Sequence, residues 1–227
     1  MSSQYAINDS LESISELYGF EFSVVDMSKL REKDLNLLSV LSEKEIEHLD
    51  GVKIEKNKIQ WIAGRYAVKS ALFKYKLERA VLMDLSCIDV LKGSNSAPYI
   101  LQYPDLCVSI THSFPYCVGI VSGRRIGVDI DQINEPQESL IRYFYCDAEK
   151  VILDSFKGTD EFACQAMIYW TRKEAASKLL QLGMQMDFKN LDTSGDRTII
   201  DKCNIRFESF ICREFCVSIA VEEEIKK

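Results

Sequence analysis

"CVSITHSFPYCVGIVSGRRIGVDID", residues Cys107 to Asp131, is an apolar run whose pattern predicts three strands. Cys107, Val108 and Ile110 lead into Thr111, His112 and Ser113. Cys117 to Val121 reads as a second buried strand, Ser122 to Arg125 as a turn, and Ile126 to Ile130 as a third strand. Side chains alternate between faces of an extended chain, so Asp129 and Asp131 share one face while Val128 and Ile130 take the other. Two carboxylates a side-chain width apart repel each other unless a cation lies between them, and Mg2+ favours such oxygen ligands. In a chain this acidic the same pair would also suit a solvated strand edge.

The surrounding composition narrows the setting. The 227 residues suffice for one large domain or two small ones sharing a core, and 47% hydrophobic with 28% charged residues is the mixture of a soluble globular protein. The apolar runs are too short for a membrane span, and "MSSQYAINDSLESISELYGF" lacks the basic start and apolar centre of a signal peptide. A cytoplasmic protein with no membrane contact is expected. Its eight cysteines then stay reduced: none has the C-x2-C spacing of a zinc site and only two histidines are present. Cys212 and Cys216 read as packing residues.

A net charge of −7 argues against nucleic acid as a partner, but the charge is uneven. Between Gly51 and Arg79 stand eight bases (Lys53, Lys56, Lys58, Arg65, Lys69, Lys74, Lys76, Arg79) against Glu55 and Glu78, which leaves −13 for the rest. Such a stretch suits either a compact polyanion, through direct phosphate contacts, or a solvated helix face.

In chain order the pattern predicts a helix over 9–18 and a strand from Phe20 to Val25. A capping box follows at Ser42 and Glu45, with Leu41 as its hydrophobic staple. A basic helix covers 56–75, a strand 86–91, and a loop "KGSNSAPYI" comes after it. Further helices are predicted over 139–145, from Asp147 through Phe156, and over 160–182. Two strands in "CNIRFESFICREFCVSIAV" and a polar tail close the chain. "WIAGRYAVKSAL" (61–72) and "WTRKEAASKLL" (170–180) look like an internal repeat that pairs Trp61 with Trp170, Lys69 with Lys178 and Arg65 with Glu174. The expected fold class is α+β: two similar α+β halves, 1–124 and 125–227, forming an intramolecular pseudo-dimer with the active site in the cleft between them.

These residues carry a family resemblance. "GVDID", followed some forty residues on by "WTRKEAASK", resembles the two-part signature of the phosphopantetheinyl transferases, and "ITHS", "IAGRYAVK" and Pro98-Tyr99 fall where that family has its other motifs. Length and duplication are similar to the surfactin-type, pseudo-dimeric members. The resemblance implies Mg2+-dependent transfer of the phosphopantetheine arm of coenzyme A to a serine of an apo acyl or peptidyl carrier protein, releasing adenosine 3',5'-bisphosphate, by a monomer. It implies Asp129, Asp131 and Glu174 as metal ligands, Glu174 as base and Lys178 as the residue steadying the leaving phosphate. Arg65, Lys69, Lys44, Pro98, Thr111 and His112 would bind coenzyme A. Leu140, Tyr143, Phe144 and Tyr145 are candidates for carrier docking. Ala97 replaces a family lysine, Asp131 stands where many members have Glu, and "QLGMQM" replaces a glycine-rich turn. A non-catalytic coenzyme A-binding module of the same fold is the alternative, and an Mg2+-dependent phosphohydrolase using the same acids ranks after it.

Overall fold

Ile7 and Leu11, one helical turn apart, are both fully buried, and they seat helix α1 (Ser3–Tyr18) on strand β1 (Phe20–Asp26). The computed structural model describes residues 3–31, 38–77 and 84–223. Contacts divide the chain into two compact units, Met1–Arg124 and Arg125–Lys227.

The first unit continues through α2 (Glu43–Asp50) and α3 (Glu55–Leu77) to a small hairpin, β2 (Val90–Lys92) with β3 (Pro98–Ile100). Strands β4 (Cys107–Ser113) and β5 (Tyr116–Ser122) follow, and the sheet order is β1-β5-β4, antiparallel throughout. All seven β5 residues are buried, because the strand has a neighbour on each edge and α3 across it. Gly119 makes that packing possible: a Cβ there would sit 2.7 Å from the Ala67 carbonyl carbon and the Val68 nitrogen. The Ser42 capping box forms as predicted. Its side chain accepts from the Glu45 N–H, and Glu45 Oε2 accepts from the Ser42 N–H at 2.8 Å. Leu41 packs on Leu49 and Ile62.

The second unit holds β6 (Ile126–Gln132), α4 (Glu138–Phe144), α5 (Asp147–Ser155) and α6 (Glu161–Leu180). It ends with β7 (Arg197–Ile200), β8 (Cys203–Cys212) and β9 (Phe215–Glu222), in sheet order β6-β9-β8-β7. Helix α6 packs across β6 and β9, and its Ala175, Ala176 and Leu179 form one core cluster with Phe188, Leu191, Ile205 and Phe207.

Several expectations change. Helix α1 begins six residues earlier than predicted. The predicted strand 86–91 is a 3-10 turn at Leu85–Cys87 followed by the three-residue β2, since Asp84 turns back to cap Ser86. Strand β7 is absent from the sequence reading. The third strand of the opening stretch leaves the hairpin: β6 pairs with β9, not with β5. Arg79, Glu78 and residues 224–227 lie outside the described residues. No helix among the described residues is long and apolar enough to cross a membrane.

Candidate functional site

Gly127 decides how closely α6 approaches β6. A Cβ at this position would lie 1.9 Å from the Ala175 carbonyl oxygen and 2.7 Å from the Leu179 nitrogen, distances no real side chain tolerates. With hydrogen there instead, the helix turn carrying Glu174 and Lys178 reaches the strand carrying Asp129 and Asp131. Lys178 Nζ donates to Asp129 Oδ1 at 2.6 Å and to the Val128 carbonyl at 3.1 Å. Asp129 is 6% exposed, while Asp131, two residues on toward the strand end, is half-buried and accepts from its neighbour's N–H.

Glu174 is half-buried on α6. Burial pushes its carboxyl pKa up, Asp129 and then Asp131 add repulsion, and the Lys178 ammonium offsets part of this. Three carboxylates with one ammonium leave surplus negative charge in an all-oxygen donor set, which fits a hard divalent cation. The three are not drawn tightly together. Among the described residues, the cluster with ligand atoms all within 4.8 Å is Cys146, Glu149 and Asp192, and there the Lys173 ammonium already sits 2.9 Å from Glu149.

The expected coenzyme residues belong to the first unit, and two of them, Lys44 and Arg65, bond to Asp89 and Val90. Lys44 Nζ pairs with Asp89 Oδ2 at 2.9 Å while its side chain stays 56% exposed. Arg65 is 5% exposed, donates from Nε to the Val90 carbonyl at 3.2 Å and lies 4.2 Å over the Trp61 ring. No carboxylate among the described residues forms an ion pair with it, and burial pulls its pKa down to about 10. Lys69 departs from expectation. It is wholly buried, and its ammonium is taken up by Glu45 Oε2 (2.6 Å) and the carbonyls of Val40 (2.6 Å) and Leu85 (3.0 Å), which leaves no donor for a ligand.

Pro98 opens β3 opposite Lys92. Thr111 is buried and His112 exposed, on opposite faces of β4. Gly64 lies against Ile110, so this strand runs beside the Arg65 turn of α3. The basic stretch 51–79 is not one solvated face: Arg65 and Lys69 are buried and Lys74 donates to the Phe22 carbonyl at 2.9 Å. Of the docking candidates only Tyr143 is well exposed, at 61%. Tyr145 is core and its hydroxyl donates to the Ala166 carbonyl, while Phe144 packs edge-on against Trp170 and Phe188.

The repeat also changes register. Lys74 donates to the Phe22 carbonyl of β1 as Lys178 donates to the Val128 carbonyl of β6. Lys69 pairs with the capping glutamate Glu45 as Lys173 pairs with the capping glutamate Glu149. Lys178 therefore corresponds to Lys74, Lys173 to Lys69, and Glu174 to Ser70. The Trp61–Trp170 alignment, with Arg65 opposite Glu174, does not hold. The signal for the correct register was present: each capping glutamate precedes its lysine by the same number of residues.

A family model described as the 4'-phosphopantetheinyl transferase superfamily matches residues 125–222. The holo-[acyl-carrier-protein] synthase of Mycoplasma mycoides subsp. mycoides is 31% identical over 99 residues, covering 43% of this chain and 86% of that protein. Its counterpart in Mycoplasma capricolum subsp. capricolum is 30% identical over 99 residues with the same coverage. Among solved structures, Thermotoga maritima holo-[acyl-carrier-protein] synthase aligns over 56% of this chain and 73% of its own, at 22% identity and TM-score 0.38. The Bacillus anthracis enzyme, solved in complex with CoA (3',5'-ADP), aligns over 45% and 91%, at 23% identity and TM-score 0.38.

Proposed function

Because the chain belongs to the 4'-phosphopantetheinyl transferase superfamily, we propose that it transfers the phosphopantetheine arm of coenzyme A to a serine of an apo acyl or peptidyl carrier protein. The observation carrying this reading is the Lys178–Asp129 contact beside Gly127, with Glu174 on the same helix turn near enough to feel the charge of Asp129 and Asp131. In the reaction the serine Oγ–P bond forms and the P–O bond to the leaving phosphate breaks, releasing adenosine 3',5'-bisphosphate. Glu174 takes the serine proton. No group among the described residues donates a hydrogen bond to its carboxylate, which leaves an oxygen to accept that proton. Asp129, Asp131 and Glu174 would hold Mg2+, which neutralises pyrophosphate charge. Lys178, anchored by Asp129 and the Val128 carbonyl, has one remaining proton to offer a phosphate oxygen.

In the first unit the buried Arg65, which forms no ion pair among the described residues, is the strongest candidate for a coenzyme phosphate, with His112 and Thr111 on β4, Pro98 on the hairpin and Lys44 at the surface. The proposal includes the two units acting as a pseudo-dimer around one shared site, in a cytoplasmic monomer. Incubating the protein with coenzyme A, Mg2+ and an apo carrier protein tests it. Adenosine 3',5'-bisphosphate should appear only when carrier is present, and Asp129→Ala or Glu174→Ala should abolish it in a folded protein. Bisphosphate released regardless of carrier would make the protein a hydrolase. Coenzyme binding with no release under any condition would make it a binding module.

A further inference from the structure

Lys173 stands next to Glu174 in the sequence, yet no ligand can reach it. It is wholly buried, and its ammonium donates to the Phe188 carbonyl at 2.8 Å and to the Leu191 carbonyl, and pairs with Glu149 at 2.9 Å. An ammonium has three protons, and here each has an acceptor. Glu149 is as fully buried and as fully used. Its Oε2 accepts from the Cys146 N–H that begins α5, and its Oε1 accepts from the Thr193 N–H (2.9 Å) and hydroxyl (2.6 Å). The pair thus ties three pieces of the second unit together: the start of α5, the middle of α6, and the segment Phe188–Thr193.

The first unit contains the same device. Lys69 joins Glu45 and the carbonyls of Val40 and Leu85, while Glu45 accepts from the Ser42 N–H that begins α2 and from the Val90 N–H. Replacing a buried ion pair by apolar side chains of similar volume is often neutral or stabilising, so net stability is a weak reason to find two of them. What the geometry supplies is direction. Three acceptors fix the ammonium at one point, and one residue of helix rotation, about 100°, would carry it away from all of them.

We propose that the two pairs are positioning devices with separate outputs. Lys173–Glu149 fixes the rotation of α6 and so holds Glu174 and Lys178 toward β6. Lys69–Glu45 fixes α3 and so holds Arg65 at Val90. None of the four is a catalytic residue, since all four are wholly buried, out of a substrate's reach. The kinetic part of the test rests on the phosphopantetheinyl transfer reading; the structural part does not.

The variants are Lys173→Met/Glu149→Met and Lys69→Met/Glu45→Met in the full chain, each removing both charges so that no orphan remains. Where a Met pair fails to fold, the neutral hydrogen-bonding pair Lys→Gln/Glu→Gln at the same positions replaces it. In the folded second-unit variant kcat should fall about tenfold or more, with KM for coenzyme A within about twofold of wild type. In the first-unit variant the pattern should reverse, KM rising and kcat holding. Crystal structures of the variants give the readout that needs no activity: the 2.6 Å contact between Lys178 and Asp129 should be lost in one and the Arg65–Val90 bond in the other. A folded second-unit variant that keeps both kcat and that contact overturns the proposal, as does one in which only KM rises. If wild-type protein transfers nothing, the functional reading fails while the contact still decides the positioning.

Discussion

Gly127→Ala should damage both the second unit and its chemistry. The added methyl would lie 1.9 Å from the Ala175 carbonyl oxygen, 2.7 Å from the Leu179 nitrogen and 3.0 Å from the Ala175 carbonyl carbon. Ordinary non-bonded contact begins near 3.5 Å, so helix and strand must separate by about 1 Å or more. The atoms met are backbone, not the flexible end of a side chain that could swing aside. Overpacking of this kind costs about 1–3 kcal/mol, with this case at the upper end. For a unit of this size each kcal/mol lowers the melting temperature by about 4–8 °C, so a loss of roughly 10–20 °C is expected by differential scanning calorimetry. The displaced turn carries Glu174 and Lys178, and a 1 Å misplacement of a catalytic group can reduce kcat by about a hundredfold. Gly195→Ala is the control, since its new methyl would meet only Arg197 backbone atoms at 3.8 and 4.0 Å. Gly127→Ala protein that melts within about 2 °C of wild type and keeps its kcat would refute the close-approach account of the motif.

Asp89 offers a pH test in the first unit. Burial pushes its carboxyl up, but hydrogen bonds from Lys44, Ser42 and Gln102 outweigh this and hold it below its usual 3.8. Stability from the ionised group is therefore fully present above the unfolded value and lost as pH falls through the lower folded one. The melting-temperature gap between wild type and Asp89→Asn should stay constant from about pH 7 to 5 and close only below 3.8; a gap that closes near neutrality contradicts the assignment. As a test of Tyr143 as a carrier-docking residue, Tyr143→Ala should raise KM for the carrier about thirtyfold, corresponding to about 2 kcal/mol, with little salt dependence. Tyr145→Phe should instead cost about 1 kcal/mol of stability and leave that KM alone, because its hydroxyl bonds Ala166 inside the core. Equal KM effects at both positions would remove Tyr143 from the docking surface.

Local pattern carried the sequence reading where the outcome depends on local physics. The Ser42 capping box, the continuous apolar run of β5 and the same-face placement of Asp129 and Asp131 all follow from neighbours within a few residues. Long-range pairing was not legible. Nothing in "VSGRRIGVDID" says that β6 will leave its hairpin for β9, since an apolar strand pairs equally well with either partner. Lys69 misled for a related reason: a lysine on a basic helix is ordinarily solvated, and its burial depends on Glu45, Val40 and Leu85 arriving from three other segments. The repeat was visible, but tryptophans anchored its register. Trp61 and Trp170 contact different kinds of neighbour: Trp61 stacks on His48 and lies under Arg65, while Trp170 packs edge-on against Phe144 and tilted against Phe188. The capping glutamate and its lysine, which fix the backbone, were the better anchor.

The corrected register has a genetic consequence. Where one gene supplies every copy of a fold, as in a homo-oligomer, any codon change appears in all copies at once, and a residue needed in one place is imposed on the others. Here both versions lie in tandem on one polypeptide, so Glu174 can be glutamate while its counterpart Ser70 is serine. Each half is free to drift under its own selection.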